Sequence, residues 1–242
     1  MIDVRNIIES IVLSVQSSGN VNSFTDNLNG TYTIETDSTG NLQESFRVVL
    51  QYPDTSLNRD IVIISLTDTS FTFEGIDITE PESWLMSLYF EVGHRIELNK
   101  KYLNKEKSAN KMVKEFPLFW LYSDFELRPS DIDNVAFETT LLGALVDLSK
   151  EDLYEEQRIE QKFEPILYPI MELIDAAFNN IRNKENFVIT YGTGKNIDFL
   201  IVDRPFFGSA DQSKNVLPKI TDAIEWQTEL KWRENINICS NY

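Results

Sequence analysis

The chain has 242 residues, 42% of them hydrophobic and 25% charged, and a formal net charge of −17. That length buries a substantial core as one large domain or two small ones, and the balance is that of a soluble globular protein. The acidity excludes a surface built to grip nucleic acid, because phosphate binding depends on clustered Lys and Arg.

Ile2 to Gln16 places Val4, Ile7, Ile8, Ile11, Val12 and Val15 on one face, which predicts a short amphipathic helix ended by Ser17-Ser18-Gly19-Asn20. Its apolar face requires a partner later in the chain, either a second helix or a sheet. From Asn27 to Glu80 apolar residues recur at every second position, among them Tyr32, Ile34, Phe46, Val48, Leu50, Val62, Ile64, Phe71 and Phe73. Asn29-Gly30, Ser38-Thr39-Gly40, Pro53-Asp54 and Gly75 punctuate them as turns. Four or five short strands of this kind form a small barrel or sandwich. The chain therefore divides into an N-terminal helical segment (1–26), an inserted β-rich subdomain (27–83) and an α+β core (84–242).

Ser87 to Val92 reads as a strand closed by Gly93-His94, and Glu97 to Asn104 as a short helix. Lys105 to Lys114 is polar and basic and reads as an exposed loop. Phe116 to Tyr122 is the most apolar run in the chain and predicts a central strand covered on both faces. A polar turn region from Ser123 to Asn134 leads into a second core strand, Phe137 to Leu148.

The stretch from Lys150 to Arg182 organises the rest. Phe163, Ile166, Leu167, Ile170, Met171, Leu173, Ile174, Ala177, Phe178 and Ile181 follow helical spacing with one broad buried face. Its first turns are acidic, with Glu151, Asp152, Glu155, Glu156 and Glu160 around Arg158 and Lys162, which suits the macrodipole of a helix start. Pro165 and Pro169 each remove a backbone donor, so a bend or break is expected between Phe163 and Pro169. Phe187 to Tyr191, Ile197 to Val202 and Ala223 to Trp232 read as further strands, with Gly192-Thr193-Gly194 a turn and Arg204 to Pro218 a loop.

Motifs for chemistry are weak. His94 is the only histidine and Cys239 the only cysteine, so a nucleophile pair would need residues far apart in the chain. Gly192-Thr193-Gly194-Lys195 lacks the first glycine and the hydroxyl residue of a phosphate loop. Asp131, Asp133 and Asn134 begin a calcium loop that Val135 and Ala136 do not continue. A lone cysteine excludes an intrachain disulfide and fits a reducing cytoplasm or a particle assembled there. Ile7 to Val15 is interrupted by Glu9, Ser10 and Ser14, and no apolar run reaches the length of a membrane span. The expectation is a soluble, non-enzymatic protein without a metal, a cofactor or a membrane partner.

Four segments together resemble a family of phage proteins from Bacteroidetes hosts. They are Phe90-Glu91-Val92-Gly93-His94, Phe116-Pro117-Leu118-Phe119-Trp120-Leu121, Phe163-Glu164-Pro165-Ile166-Leu167-Tyr168-Pro169-Ile170, and Asp203-Arg204-Pro205-Phe206-Phe207-Gly208 followed by Asp222-Ala223-Ile224-Glu225. The family comprises virion components of the head-to-tail neck and is similar to tail-terminator or tail-completion proteins. The resemblance implies a mostly antiparallel sheet packed by one long helix and an N-terminal helix, with an inserted all-β subdomain. It also implies closed rings of six- or twelve-fold symmetry, contacts with portal, neck or tail proteins, and DNA passing through without sequence-specific binding. A portal-side connector ring is the alternative to a terminator, and a small-molecule enzyme or regulatory binding module in which His94 or a carboxylate pair acts is the alternative of another class. On this reading the acidic approach to the helix faces the ring lumen or a neighbouring ring. Gly93, His94, Pro117, Trp120, Pro165, Tyr168, Pro169, Asp203, Arg204, Pro205 and Gly208 hold the family's structural motifs.

Overall fold

The computed structural model describes residues 4–93, 116–123, 128–129, 137–148, 155–181, 187–189, 200–202, 206–207, 214–215 and 221–232. Helix α1 (Val4–Leu13) opens the chain and buries Val4, Ile8, Ile11 and Val12 on the face their spacing predicts. Seven strands follow: β1 (Ser18–Asn20), β2 (Ser23–Asp26), β3 (Thr31–Glu35), β4 (Arg47–Gln51), β5 (Arg59–Leu66), β6 (Ser70–Glu74) and β7 (Ser83–Met86). They form one antiparallel sheet in the order β1-β7-β4-β5-β6-β3-β2.

The two outer strands of that order are consecutive in sequence. Only Val21 and Asn22 separate them, and these residues bond to opposite edges. Val21 N–H donates to Glu82 O at 3.0 Å and Asn22 N–H to Glu35 O at 2.8 Å. The chain thus bends from one edge to the other and closes the sheet into a barrel. The bent β1–β2 segment thereby links the two outer strands of the sheet. Gly19 sits at this corner, where a Cβ would lie 2.7 Å from Thr36 Oγ1 and 2.9 Å from Trp84 Nε1. The buried Trp84 indole donates to that same Thr36 hydroxyl at 3.2 Å. The barrel strands begin before Asn27, because β1 and β2 lie in the polar stretch that sequence assigns to the end of the helical segment.

A second, mostly antiparallel sheet is built from later strands. Its main path runs β12 (Phe187–Ile189), β16 (Thr221–Trp232), β11 (Phe137–Leu148), β9 (Leu118–Tyr122) and β8 (Tyr89–Gly93). Only β8 and β9 pair in parallel. The short β10 (Arg128–Pro129) joins β11, and β13 (Leu200–Val202) joins β16. The stretch read as a loop after Arg204 instead contains a small antiparallel pair, β14 (Phe206–Phe207) with β15 (Lys214–Asn215). Every residue of β9 is buried, as a central strand covered on both faces requires.

The long helix runs along this sheet in three contiguous pieces: α2 (Glu155–Arg158), a π-helical segment (Ile159–Leu167) and α3 (Tyr168–Ile181). The expected bend or break is a change of helical type. Tyr168 N–H donates to Phe163 O, five residues back, so Pro165 lies inside a wide turn. In an α-turn its ring would press on the carbonyl four residues earlier, and the π-turn relieves that contact. Pro169 follows at the joint where α-type bonding resumes.

One apolar cluster runs through the molecule. It joins α1, the barrel interior, the helix-facing side of the second sheet and the buried side of the long helix. Helix α1 packs on β8 and α3, and Gln16 Nε2 donates to Met86 O and Leu88 O at 3.1 and 2.7 Å. Phe119, Phe178 and Trp226 form its aromatic centre, with ring centroids 5.5 Å apart for Phe119–Trp226 and 5.0 Å for Phe178–Trp226. Gly143 makes room for them, since a Cβ there would lie 2.9 Å from Trp120 O and 3.3 Å from the Phe119 ring.

Two predictions follow from the barrel. Leu28 holds a φ of 61° while almost fully exposed. Leu28→Gly relieves left-handed strain and should raise unfolding stability by about 1 kcal/mol in urea titration. Burial raises the Tyr52 phenol above its ordinary value of 10.0, against the opposing effects of Thr79 and Arg59. A raised folded-state value contributes stability below pH 10.0 that is lost as pH climbs through the folded-state value. The alkaline fall in urea midpoint should be shallower in Tyr52→Phe.

Candidate functional site

Strands β11 and β16 pair along their whole length, and Asp147 stands directly opposite Asp222. Both occupy the helix-facing rows, in line with Leu141 and Leu145 on one strand and Ile224 and Trp226 on the other. Both side chains are fully buried. Two like charges placed opposite each other across a ladder repel at close range, and their burial removes the screening of water.

Three cations, two from the long helix and one from the barrel, offset this. Arg158, at the end of α2, donates through Nε to Asp222 Oδ1 at 2.7 Å and through Nη2 to the same oxygen. Lys162 Nζ, in the π segment, donates to Asp147 Oδ2 at 2.9 Å. Arg47 Nη1, at the first residue of β4, pairs with Asp147 Oδ1 at 3.4 Å and reaches Phe116 O at 3.5 Å. The cluster thus ties barrel, sheet and helix together at one seam. The sequence shows a sign of it: Asp147 and Asp222 are charges within strand patterns that are otherwise apolar there, and Arg158 and Lys162 stand four apart amid carboxylates. Arg47 carries no local sign, because its partner lies 100 residues away.

The acidic approach is only partly brought into view. Glu151 and Asp152 lie outside the described residues, and Glu155 opens α2. Glu156, Glu160 and Glu164 are exposed at four-residue spacing along the outer side of the helix. Of the family-motif residues, Gly93 ends β8, where its carbonyl accepts from Trp120 Nε1 at 3.1 Å. Pro117 follows a cis peptide bond, and its carbonyl accepts Tyr89 N–H at 3.0 Å. Tyr168 packs its ring 5.8 Å from Phe163, with Pro165 and Pro169 half-buried beside it. These residues serve packing and strand alignment. His94, Asp203, Arg204, Pro205 and Gly208 lie outside the described residues.

Chemically the ionic cluster is a clamp. Asp147 and Asp222 are already held by cations, and among the described residues no group of three His, Cys, Asp or Glu converges to hold a metal. No helix among them is long and apolar enough to cross a membrane. No protein-family model and no curated protein sequence matches the chain.

Removing Asp147 takes from Arg47 and Lys162 the carboxylate they share. Asp147→Asn should lower unfolding stability by about 3 kcal/mol or more in urea titration. Adding Lys162→Met should recover part of that loss, which a purely steric effect at Asp147 would not allow.

Proposed function

We propose that this chain is a structural virion subunit that closes into a ring at the head-to-tail junction, with DNA passing through and no catalytic step. The observation that carries the reading is the two-sided character of the long helix. Its inner side is fixed to the sheet by Arg158, Lys162 and an apolar row, whereas its outer side presents Glu156, Glu160 and Glu164 to solvent. A rigid helix that displays carboxylates in register suits a wall beside DNA, since like charge weakens adhesion to phosphate. The α+β architecture supports the same reading. A mostly antiparallel sheet carries one long helix and an N-terminal helix, and a barrel stands between them in sequence. Resemblance of the Pro165–Pro169 and Phe116–Leu121 segments to neck proteins supplies the position in the particle.

Replacing Glu155, Glu156 and Glu160 together with Gln tests this. Glu156 and Glu160 are exposed, and substitutions at such positions change stability by no more than about 0.5 kcal/mol. The unfolding midpoint should therefore hold while ring assembly or DNA packaging, scored by negative-stain imaging of particles, falls. Normal particles carrying normal DNA content would sink the idea.

A further inference from the structure

The hairpin between β2 and β3 turns through Asn29-Gly30, and no other asparagine in the sequence is followed by glycine. In such a pair the backbone nitrogen can attack the side-chain amide before it, because glycine has no Cβ to hinder the approach. Asn29 and Gly30 are both exposed. A Cβ placed on Gly30 would meet nothing within 4 Å, so water and base reach the peptide from that side. The turn lies at the tip of the barrel, where Gly75 N–H donates to Gly30 O at 3.1 Å and Asp26, Glu74 and Asp77 are exposed.

The hydrogen bonds of the turn converge on the Asn29 side chain. Thr31 donates twice to Asn29 Oδ1, through its N–H at 3.0 Å and its hydroxyl at 2.7 Å. Asn27 Nδ2 donates to that hydroxyl at 3.0 Å, which directs the hydroxyl proton at Asn29. The bond from Thr31 N–H closes a ring that contains Gly30 N, so the side-chain carbonyl is folded back toward that nitrogen. Among the described residues no hydrogen bond occupies Gly30 N–H or Asn29 Nδ2. The first is the nucleophile of such an attack and the second its leaving group. Two donors aimed at the oxygen on which charge develops make an oxyanion hole, and one turn holds both reactants together.

We infer that Asn29 is a self-modification site, at which Gly30 N displaces the Asn29 side-chain amide with Thr31 stabilising the oxyanion. Gly30 N gives its proton to water or hydroxide and bonds to Asn29 Cγ. The tetrahedral centre collapses as the Cγ–Nδ2 bond breaks, and Nδ2 leaves as ammonia with a proton from water. Water then opens the five-membered imide at either carbonyl. The products are aspartate and the isomer whose main chain runs through the side-chain carboxyl. One water is consumed and one ammonia released overall, with nothing oxidised or reduced. Each conversion adds a carboxylate to a chain whose formal net charge is already −17.

Peptide mapping of the full chain after incubation at mildly alkaline pH, with electron-transfer fragmentation to separate the two isomers, decides the matter. Both products should accumulate at position 29 about tenfold faster than at Asn22, which is also exposed and precedes Ser23. Conversion in the folded chain should at least match that in concentrated urea, where the turn is lost. T31V removes the hydroxyl donor but keeps the N–H and a strand-favouring side chain. It should slow conversion severalfold in the folded chain and leave it unchanged in urea, whereas T31S should keep the parental rate. Conversion at position 29 no faster than at 22, or slower folded than in urea, would overturn the inference. So would a parental rate in folded T31V, an equal slowing of T31V in urea, or T31S as slow as T31V.

Discussion

Asp147 and Asp222 lie opposite each other under the long helix, and much of the architecture answers to that placement. A one-residue slip of β11 would carry Asp147 to the other face of the sheet. That face is the apolar layer of Leu118, Trp120, Ala144, Val146 and Ala223, a cluster in which the described residues are all hydrophobic. The register of β11 is therefore fixed by charge as well as by apolar pattern. Buried ion pairs add little net stability over an apolar core, because desolvation cancels most of the attraction. Their effect is to make the wrong arrangements expensive.

The same cluster constrains elements beyond the sheet. Arg158 and Lys162 must leave the helix on one side, together with Phe163, Ile166 and Leu167. The π segment keeps all of them there while it accommodates Pro165. Arg47 must reach Asp147 from the barrel, so the start of β4 is held against the beginning of β9, where it also meets Phe116 O. Apolar packing alone is non-directional and would tolerate some sliding between barrel and sheet. A charged contact at 3.4 Å tolerates much less.

Local pattern made much of this fold readable, and distance hid the rest. Alternation marked β3, β4 and β6 by their buried rows, but in β5 it picked Val62 and Ile64, which are exposed, while Ile61 and Ile63 are buried. Helical spacing marked α1 and α3, and the apolar run Phe116–Tyr122 marked a strand buried on both sides. Strands β1 and β2 escaped because Ser18-Gly19-Asn20 and Ser23-Phe24-Thr25-Asp26 lack an apolar row. Pairing makes them strands: β1 with β7, 63 to 67 positions away, and β2 with β3, 6 to 12 positions away. The helix joint was visible as two prolines, but the wide-turn solution to them was not, since composition does not choose between a kink and a π-turn. The ionic cluster was half legible. Asp147 lies within a stretch read as a strand and Asp222 just before one, but neither was singled out, and nothing in the sequence pairs them with Arg47 or with each other.

Charge is sorted in this molecule rather than merely in excess. Of its basic residues, Arg47, Arg158 and Lys162 turn inward to neutralise the buried aspartates, and six lysines are gathered within residues 100–114. What remains outside along the helix and at the barrel tip is predominantly carboxylate. Copies of such a chain repel one another through most orientations, with a repulsion that salt weakens. Association is favoured where complementary surfaces overcome that repulsion at short range. Long-range repulsion with one attractive pairing selects a single geometry of contact, and a single heterologous geometry is the condition for closing a ring instead of forming an irregular aggregate.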